Sequence, residues 1–497
     1  MLDLRGNQRT TQGEKSRKEG GKIFGGGSRT AVTITLLVKK EGHPGPGTIH
    51  YHDIGDFLSR EEKLGKLVHF TETGPEWTTI VPNEFADWVN QRRSDYAQLA
   101  PLGDENAKGK ESDAIFTTFS PGLNTARDAW IYSFSNDSVA QSMELLTETY
   151  ETVLLADAAG KPDDFVPQGP KFIKWDAALR SHRKRGKHCP FDRSKITTAL
   201  YRPFTKARLY LDPMLMAGAG RTPRFFPDGF GRSLAIVTSG IGSESGLSAL
   251  MVDTPSNFDT LPKSQVFPLA WAEEGTPGSG FFENMSNEPQ RREGVSTWAV
   301  EEFSKSTGRA VGREAIFFYV YGILHSGQFR EAYGDNLVKE RPRIPLPKDA
   351  AQFEDFSDAG RKLADLHLNY ESVEPYPLDE SCTRPELDPY TLYRVEKMRF
   401  PKGQGVKDRP SSILYNDYIT LSGIPDETWD YMLSGKAALY WIIDRYKISR
   451  DADSGIINDP NDYSEDPRYI LDLLKRIVTV SVKTLEIIRE LPAITFD

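Results

Sequence analysis

The stretch SLAIVTSGIGSESGLSALMVD, residues 233–253, places two apolar runs on either side of a loop of Gly, Ser and Glu. Short apolar runs bounded by turn residues predict strands. The loop, SGIGSESG at 239–246, has three residues between its second and third glycines, whereas a dinucleotide-binding loop has two. The segment therefore predicts two strands joined by a tight loop and no nucleotide site.

Two further segments around this stretch have the same composition. RLYLD at 208–212 and VFPLAW at 266–271 are apolar runs between turns that contain Pro and Gly. The Pro- and Gly-rich stretch GKPDDFVPQGPK at 160–171 precedes them and is typical of a domain boundary. We therefore predict a β-rich domain over residues 166–430.

The chain before this boundary has a different pattern. Residues 61–165 predict a helical connector, whose first helix is marked by Ser59 and, three residues later, Glu62, which together form a capping box. Further upstream, AVTITLLVKK predicts a buried strand from Ala31 to Lys39. Residues 1–60 then begin partway through a sheet, and we expect them to be an incomplete domain.

Two segments after the β-rich runs have helical patterns. Residues 313–339 include FFYVYGILHS, which is apolar nearly all round, and predict one buried helix. Residues 431–497 predict a C-terminal helical region, and its last helix is expected to begin with Asp466 as N-cap and Pro467 at the first helical position. The predicted fold class is mixed α/β, of the α+β kind.

The composition narrows the class of protein. Hydrophobic residues make up 38% of the 497 residues and charged residues 27%, which is typical of a folded protein and not of a disordered one. We find no apolar run long enough for a membrane span. The chain has only two cysteines, and His182, His188 and Cys189 lack a fourth ligand at a usable spacing. We expect a cytoplasmic protein without a metal site.

Charge is distributed unevenly along the chain. The formal net charge is -9, but residues 171–208 carry twelve Lys and Arg against two Asp, interleaved with aromatic residues. Such a stretch is typical of a surface that binds a phosphate backbone, and a solvated face is the alternative. The candidate phosphate contacts here are Lys184, Arg185, Lys187, Arg202 and Lys206. For Arg202, and also for Arg127, we favour a structural role, with Asp128 or another carboxylate as the partner.

The motifs that would indicate catalysis are missing. The chain has no GxxxxGK[ST] loop, no HExxH and no GxSxG, and its carboxylates show no pattern of general acid and base. We predict no catalytic residue. Composition and spacing alone do not name a function.

Several segments resemble the Type ISP family of single-chain restriction-modification proteins, which join nuclease, helicase, adenine methyltransferase and target-recognition parts. They extend over nearly the whole chain, in the family's order. The segments are DLRGNQRT, EGGKIFGGGSRTAVTITLLVKK, IHYHDIGDFLSREEKL, WTTIVPNEFADWVNQR, SPGLNTARDAWIYSF, ALYRPFTKARLYLD, FYVYGILHSGQFREAYGDNLVKERPRIPL and SSILYNDYITLSGIP.

The resemblance implies a division of the chain. Residues 1–60 match the last strands of the Rossmann-like adenine methyltransferase sheet, and residues 166–430 match the target-recognition domain. The family's loop for S-adenosylmethionine and its Asn/Asp-Pro-Pro-aromatic tetrapeptide both precede DLRGNQRT, and we find neither in this sequence. We expect no methyl transfer by this chain alone and S-adenosylmethionine only in the complete enzyme.

The resemblance also implies site residues. Phe24 occupies the place of an aromatic that stacks on the flipped adenine, and a loop Phe that plugs the domain core is the alternative. The cations around it are further candidate phosphate contacts: Lys15, Arg17, Lys18 and Lys22. In the β-rich domain, the candidates for contacts with base edges are Arg221, Arg224, Ser239, Ser243 and Gln265.

The function that the resemblance implies is sequence-specific recognition of double-stranded DNA in a phage-defence system. We expect either a truncated reading frame or a separate chain that supplies the methyltransferase, helicase and nuclease parts. The alternative is a stand-alone, non-catalytic specificity subunit that binds DNA or protein, with an intact core around residues 1–40. An independent nuclease ranks below both, because we see no carboxylate and lysine constellation for it.

Overall fold

The computed structural model describes residues 1–7, 18–24, 30–42, 45–107, 109–227, 232–243, 245–273 and 289–495. It has the mixed α/β fold that the sequence predicts. The helices are α1 (Arg60–Thr73), α2 (Asp128–Ile131), α3 (Asn136–Ala158), α4 (Ala177–Lys184), α5 (Thr222–Phe225), α6 (Thr297–Thr307), α7 (Arg313–His325), α8 (Gly327–Ala332), α9 (Gly334–Lys339), α10 (Ala350–Leu368), α11 (Pro389–Leu392), α12 (Ala438–Arg445) and α13 (Tyr469–Arg489).

The strands are short and form several small sheets. They are β1 (Leu2–Asp3), β2 (Thr33–Ile34), β3 (Ile49–Asp53), β4 (Thr78–Ile80), β5 (Ala100–Pro101), β6 (Ser120–Pro121), β7 (Tyr132–Ser133), β8 (Ile196–Arg202), β9 (Thr205–Tyr210), β10 (Ala235–Thr238), β11 (Ala249–Val252), β12 (Gln265–Pro268), β13 (Ala270–Glu273), β14 (Gln290–Glu293), β15 (Arg343–Ile344), β16 (Asp379–Cys382), β17 (Ser412–Leu414), β18 (Ile419–Ser422), β19 (Met432–Leu433), β20 (Lys436–Ala437), β21 (Ser449–Arg450) and β22 (Ile457–Asn458).

The N-terminal sheet has the strand order β2-β1-β3-β4, with β1 parallel to β3 and antiparallel to β2. Its hydrophobic cluster has three buried members in the described part of the chain, Leu4, Ile23 and Ile54. The predicted capping box begins α1: Glu62 N donates to Ser59 Oγ at 3.2 Å, and Ser59 N donates to Glu62 Oε2 at 2.7 Å.

The predicted buried strand from Ala31 to Lys39 is wrong. Among the described residues, strand pairing in this run is limited to Thr33 and Ile34, opposite Asp3 and Leu2, and Val32 forms backbone hydrogen bonds with Leu4 and Arg5. Beyond the pairing, an apolar run stays exposed, with 81% of Leu36, 81% of Leu37 and 82% of Val38 accessible.

The strands predicted around residues 233–253 form the centre of the β-rich part. The sheet has the order β11-β10-β12-β6 and is antiparallel throughout, with Ile236 opposite both Met251 and Phe267. Its edge strand β6 comes from far upstream in the sequence. In the same way β5 pairs with β15, since Ala100 lies opposite Ile344. β5 and β6 are therefore part of the same folded unit as the strands that follow them.

Helices α7 and α10 pack against this sheet. The FFYVYGILHS segment is buried in α7, as predicted. The single helix predicted over residues 313–339 is wrong, because the segment forms α7, α8 and α9. Ser326 is extended at the end of α7 and caps α8, where its Oγ accepts from Phe329 N at 3.3 Å.

The last helix begins later than predicted. Asp466 accepts at its backbone oxygen from Tyr469 N at 3.1 Å and at its side chain from Arg468 N at 2.9 Å. Asp466 and Pro467 therefore belong to a turn, and Arg468 is the N-cap. Across the described ranges, no helix is both long enough and apolar enough to span a bilayer.

Candidate nucleic-acid interface

A cleft of about 540 Å³ opens at one end of the central sheet. Its walls come from segments that are far apart in sequence. Three of the five residues predicted to contact base edges line it together: Arg221, Ser239 and Gln265. The other lining residues are Asp104, Glu105, Thr118, Phe119, Ser120, Pro121, Gly220, Thr238, Gly240, Ile241, Phe258, Lys263, Glu340, Arg341 and Pro342.

The strand ends supply the floor of the cleft. Thr238 of β10 lies opposite Gln265 of β12 in the sheet register. The loop after β10 passes close to the segment before β12, since a Cβ on Gly240 would lie 2.2 Å from the backbone oxygen of Lys263. Only glycine allows this approach. The hydroxyl of Thr238 is fully buried and has no hydrogen-bond partner among the described residues.

Arg221 is held at the cleft by β6 and by the residues just before that strand. Its backbone N–H donates to Ser120 Oγ at 2.8 Å, and its Nη1 donates to Thr118 Oγ1 at 2.9 Å. Gly220 before it has a φ of +57°, and a Cβ there would lie 2.2 Å from Ser120 Oγ. The guanidinium is thus fixed at one end while its remaining N–H groups can serve a ligand.

Arg341 and Phe119 build the opposite wall. The guanidinium carbon of Arg341 lies 4.3 Å above the Phe119 ring, and that ring stacks on Phe267 with centroids 5.3 Å apart. Tyr96 anchors the segment that carries Arg341: its hydroxyl donates to the backbone oxygen of Arg341 at 3.0 Å and accepts from Arg343 N at 2.9 Å. Burial raises the pKa of Tyr96 above its usual range, so the hydroxyl keeps its proton.

The charges on the cleft walls are balanced. Three cations line it, and three carboxylates stand beside them: Arg221, Lys263 and Arg341, with Asp104, Glu105 and Glu340. Glu105 pairs with Arg341 at 2.7 Å, and Glu340 pairs with Arg92 at 3.0 Å. The cleft therefore differs from a phosphate site, in which cations dominate.

The other two candidates for base contacts lie outside the cleft lining. Ser243 is buried, and its Oγ lies 3.3 Å from Ser245 Oγ. The neighbouring Gly242 N donates to the backbone oxygen of Val338 at 2.8 Å, which attaches the loop to α9. Arg224 is half-buried in α5.

The basic residues predicted to contact phosphates fall into two groups. Lys184, Arg185 and Lys187 are exposed at the end of α4 and in the loop after it. Lys206 instead forms an ion pair with Glu371 at 2.5 Å.

The two arginines expected to be structural do have carboxylate partners. Arg202 Nη2 lies 3.7 Å from Asp128, and its Nη1 donates to Asn257 at 3.0 Å. The side chain of Arg127 is fully buried and forms an ion pair with Asp176 at 2.9 Å.

The predicted N-terminal residues are partly described. Phe24 exposes 58% of its surface, and Lys18 and Lys22 are half-buried, while Lys15 and Arg17 lie outside the described residues.

The described glycines in this region serve close packing. A Cβ on Gly20 would lie 2.1 Å from the backbone oxygen of Leu58, and a Cβ on Gly21 would lie 2.5 Å from Arg60 N. The backbone at Leu58 and Arg60, around the start of α1, fills the space that a side chain at Gly20 or Gly21 would need.

Sequence reasoning missed several residues of the cleft. Thr118 and Phe119 reach it through β6, and Arg341 through the segment before β15. The one local feature that could have pointed to this segment is Arg341 before Pro342 in RPRIP, because a proline restricts the backbone of the residue that precedes it.

Comparisons with known proteins agree on one family. Residues 114–473 match the Type ISP C-terminal specificity domain. The chain is similar to a nuclease-deletion mutant of the Type ISP restriction-modification enzyme LlaGI, solved with a DNA substrate mimic, with 35% identity and a TM-score of 0.81 over 99% of this chain and 36% of that chain. It is also similar to the ATP-dependent Type ISP enzyme LlaBIII bound to DNA, with 32% identity and a TM-score of 0.82 over 100% of this chain and 31% of that one.

A third structure, a DrdV–DNA complex, is 28% identical with a TM-score of 0.78 and covers 100% of this chain and 48% of that chain. The chain thus spans 31% to 48% of the length of these proteins. No curated protein sequence gives a significant match. By the family match over most of its length and by these structures, the chain belongs to the Type ISP family and contains its C-terminal specificity domain.

Proposed function

We propose that this chain recognises a specific sequence in double-stranded DNA as the target-recognition part of a Type ISP restriction-modification enzyme that methylates adenine at N6. The observation that carries the proposal is the cleft, which brings together Arg221, Ser239 and Gln265 inside the matched specificity domain. Arginine, amide and hydroxyl groups are those that distinguish bases by hydrogen bonding.

Affinity and selectivity come from different surfaces in this proposal. Lys184, Arg185 and Lys187 are exposed and make phosphate contacts, which position the duplex without reading it. Arg202 and Lys206 contribute less, because their charges are already paired with Asp128 and Glu371. The cleft supplies the selectivity.

The wider activity belongs to the complete enzyme. We infer that the S-adenosylmethionine site and the nuclease and helicase parts lie on polypeptide outside these 497 residues. That polypeptide belongs to the same protein or to a separate chain. S-adenosylmethionine would supply the methyl group. The role left to this chain is to place the target, with Phe24 against the extruded adenine and Lys15, Arg17, Lys18 and Lys22 near phosphates. The setting is defence against phage DNA in the cytoplasm.

The exposed run at Leu36, Leu37 and Val38 supports this arrangement over a stand-alone specificity subunit. A stand-alone protein needs an intact core around residues 1–40, and only Leu4 and Ile23 are buried there among the described hydrophobic residues. An apolar surface of this kind is normally covered by other protein.

The test is selection of bound duplexes from a randomised library at two salt concentrations. We expect enrichment of one short, asymmetric motif that contains adenine, and the same motif at both concentrations. Binding that falls with salt but enriches no sequence contradicts the proposal, because phosphate contacts alone produce that result.

A further inference from the structure

We propose that the cleft receives a single nucleobase that leaves the duplex stack, and that this is how the recognition domain reads one position of its target. This inference rests on the proposed DNA recognition and adds the form of the ligand. The ligand is an unpaired base with its flat faces and its hydrogen-bonding edge accessible.

The shape of the cleft supports this form of ligand. Protein elements that read an intact duplex project into its major groove, as a helix or a two-stranded ribbon does. The cleft is instead concave, with a volume of about 540 Å³, within the range of small-molecule sites. A base inside the stack cannot enter it, whereas an extruded base can.

The walls offer flat surfaces for such a ring. Phe267 and Arg341 cover the Phe119 ring, so the flat groups that line the cleft are the guanidinium plane of Arg341, which this ring supports, and the ring of Phe258. Unstacked bases bind to aromatic rings and to guanidinium planes, and these contacts replace part of the lost stacking.

The floor offers groups for the edge of the base. Gln265 has both a donor and an acceptor, and Arg221 keeps donors beyond the one that Thr118 accepts. The Thr238 hydroxyl is buried and lacks a hydrogen-bond partner within the described part of the chain. A buried polar group left in this state is costly, so a ligand that bonds to it gains free energy.

The charges on the cleft walls favour a base over a phosphate as the ligand. The carboxylates Asp104, Glu105 and Glu340 stand on the walls and would repel a phosphate. They balance Arg221, Lys263 and Arg341. A neutral heterocycle fits this balance better than an anion does.

The experiment uses the whole chain and the motif selected from the randomised library. At each position in turn, the base opposite is replaced by an abasic site, which leaves the tested base unpaired. Extrusion then costs less, so the affinity rises at the extruded position, by about tenfold or more if a few kcal/mol of unpairing are removed. The adenine that is extruded toward Phe24 gains affinity in the same way, and at every remaining position the affinity falls or stays unchanged.

Two variants connect that effect to the cleft. Thr238→Val removes the hydroxyl at almost constant volume, and Gln265→Ala removes the amide; each is expected to abolish most of the gain at the extruded position. Thr152→Val is the matched control, because Thr152 is exposed on α3 and does not line the cleft, so this variant leaves the gain unchanged. Unfolding midpoints of all three variants show that they are folded.

Each outcome has a defined meaning. A motif without any position of increased affinity overturns the inference and leaves DNA recognition standing. The inference is also overturned if every gain survives both cleft variants, or if Thr152→Val abolishes the same gain as they do. If no motif is enriched, both proposals fail.

Discussion

Gly322 of α7 and Gly360 of α10 face each other where the two helices cross. A Cβ on Gly360 would lie 2.9 Å from the backbone nitrogen of Gly322 and 1.9 Å from the backbone oxygen of Phe318, and a Cβ on Gly322 would lie 2.4 Å from the backbone oxygen of Phe356. The backbones of α7 and α10 are therefore in direct contact. This crossing supports the sheet that ends at the cleft, because both helices pack on β11.

Replacing Gly360 with Ala is expected to destabilise the protein. The added methyl group forces the helices apart, and overpacking of this kind costs about 1–3 kcal/mol, more than the gain in helix propensity of about 1 kcal/mol. Urea unfolding followed by circular dichroism measures the effect. Gly327→Ala is the matched control, since a Cβ there has no heavy atom within 4 Å among the described residues, and an equal loss in both variants would contradict the explanation.

Arg127→Met is expected to lower the free energy of unfolding by about 3–5 kcal/mol, because it removes a fully buried guanidinium and leaves the half-buried carboxylate of Asp176 without its charge partner. Arg127 also donates to the backbone oxygen of Leu215. Arg193→Met is the comparison, because Arg193 pairs with Asp137 on an exposed surface where an ion pair contributes little. Similar unfolding midpoints for the two variants would show that the buried pair is not what stabilises this region.

Stability is expected to fall as the pH decreases from 7 to 5. Burial lowers the pKa of His367 to about 3 and the pKa of His325 well below its usual range. In the unfolded chain both have a pKa of about 6.5, so the unfolded state binds more protons below that pH and is favoured there. The contribution of His367 is complete above about pH 6.5 and is lost progressively toward about pH 3, by about 2 kcal/mol at pH 5, and the contribution of His325 is lost in the same direction.

The slope of unfolding free energy against pH tests this expectation. His367 lies 2.6 Å from Tyr321 Oη and 2.9 Å from Thr484 Oγ1, and Gln at this position keeps hydrogen-bonding capacity without titrating. His367→Gln is therefore expected to reduce the slope between pH 7 and pH 5, a range above the usual pKa of carboxylates. An unchanged slope would exclude His367 as a source of the acid sensitivity.

Combined substitution of Lys184, Arg185 and Lys187 by Gln is expected to weaken binding to all duplexes to a similar extent. The slope of log affinity against log salt should decrease by about 0.9 for each phosphate that these cations no longer neutralise. The sequence preference should remain, because these residues do not line the cleft. A change in the selected motif would show instead that this surface takes part in reading bases.

Local patterns predicted much of the secondary structure. Ser59 and Glu62 begin a helix as their spacing indicates, and the apolar runs around residues 233–253 are strands, because each feature depends on neighbours in sequence. The run from Ala31 to Lys39 has the same composition but stays largely unpaired. Composition shows that such a run prefers burial, but not whether another element covers it.

The cleft was only partly predictable. Arg221, Ser239 and Gln265 have side chains suited to base edges and lie at strand ends and loops, and the sheet brings them together. Thr118 and Arg341 reach the same place through pairings that join residues more than a hundred positions apart. A single sequence contains no local signal for such pairings, so two of the walls were missed.

The placement of β5 and β6 also affects how new specificities can arise. Both strands precede the Pro- and Gly-rich loop at 160–171, yet they pair with β15 and β12, which follow it. A recombination event in that loop would join β5 and β6 of one relative to β15 and β12 of another. Functional exchange of target sequence between relatives therefore requires residues 100–121 to be inherited together with the strands that they pair with.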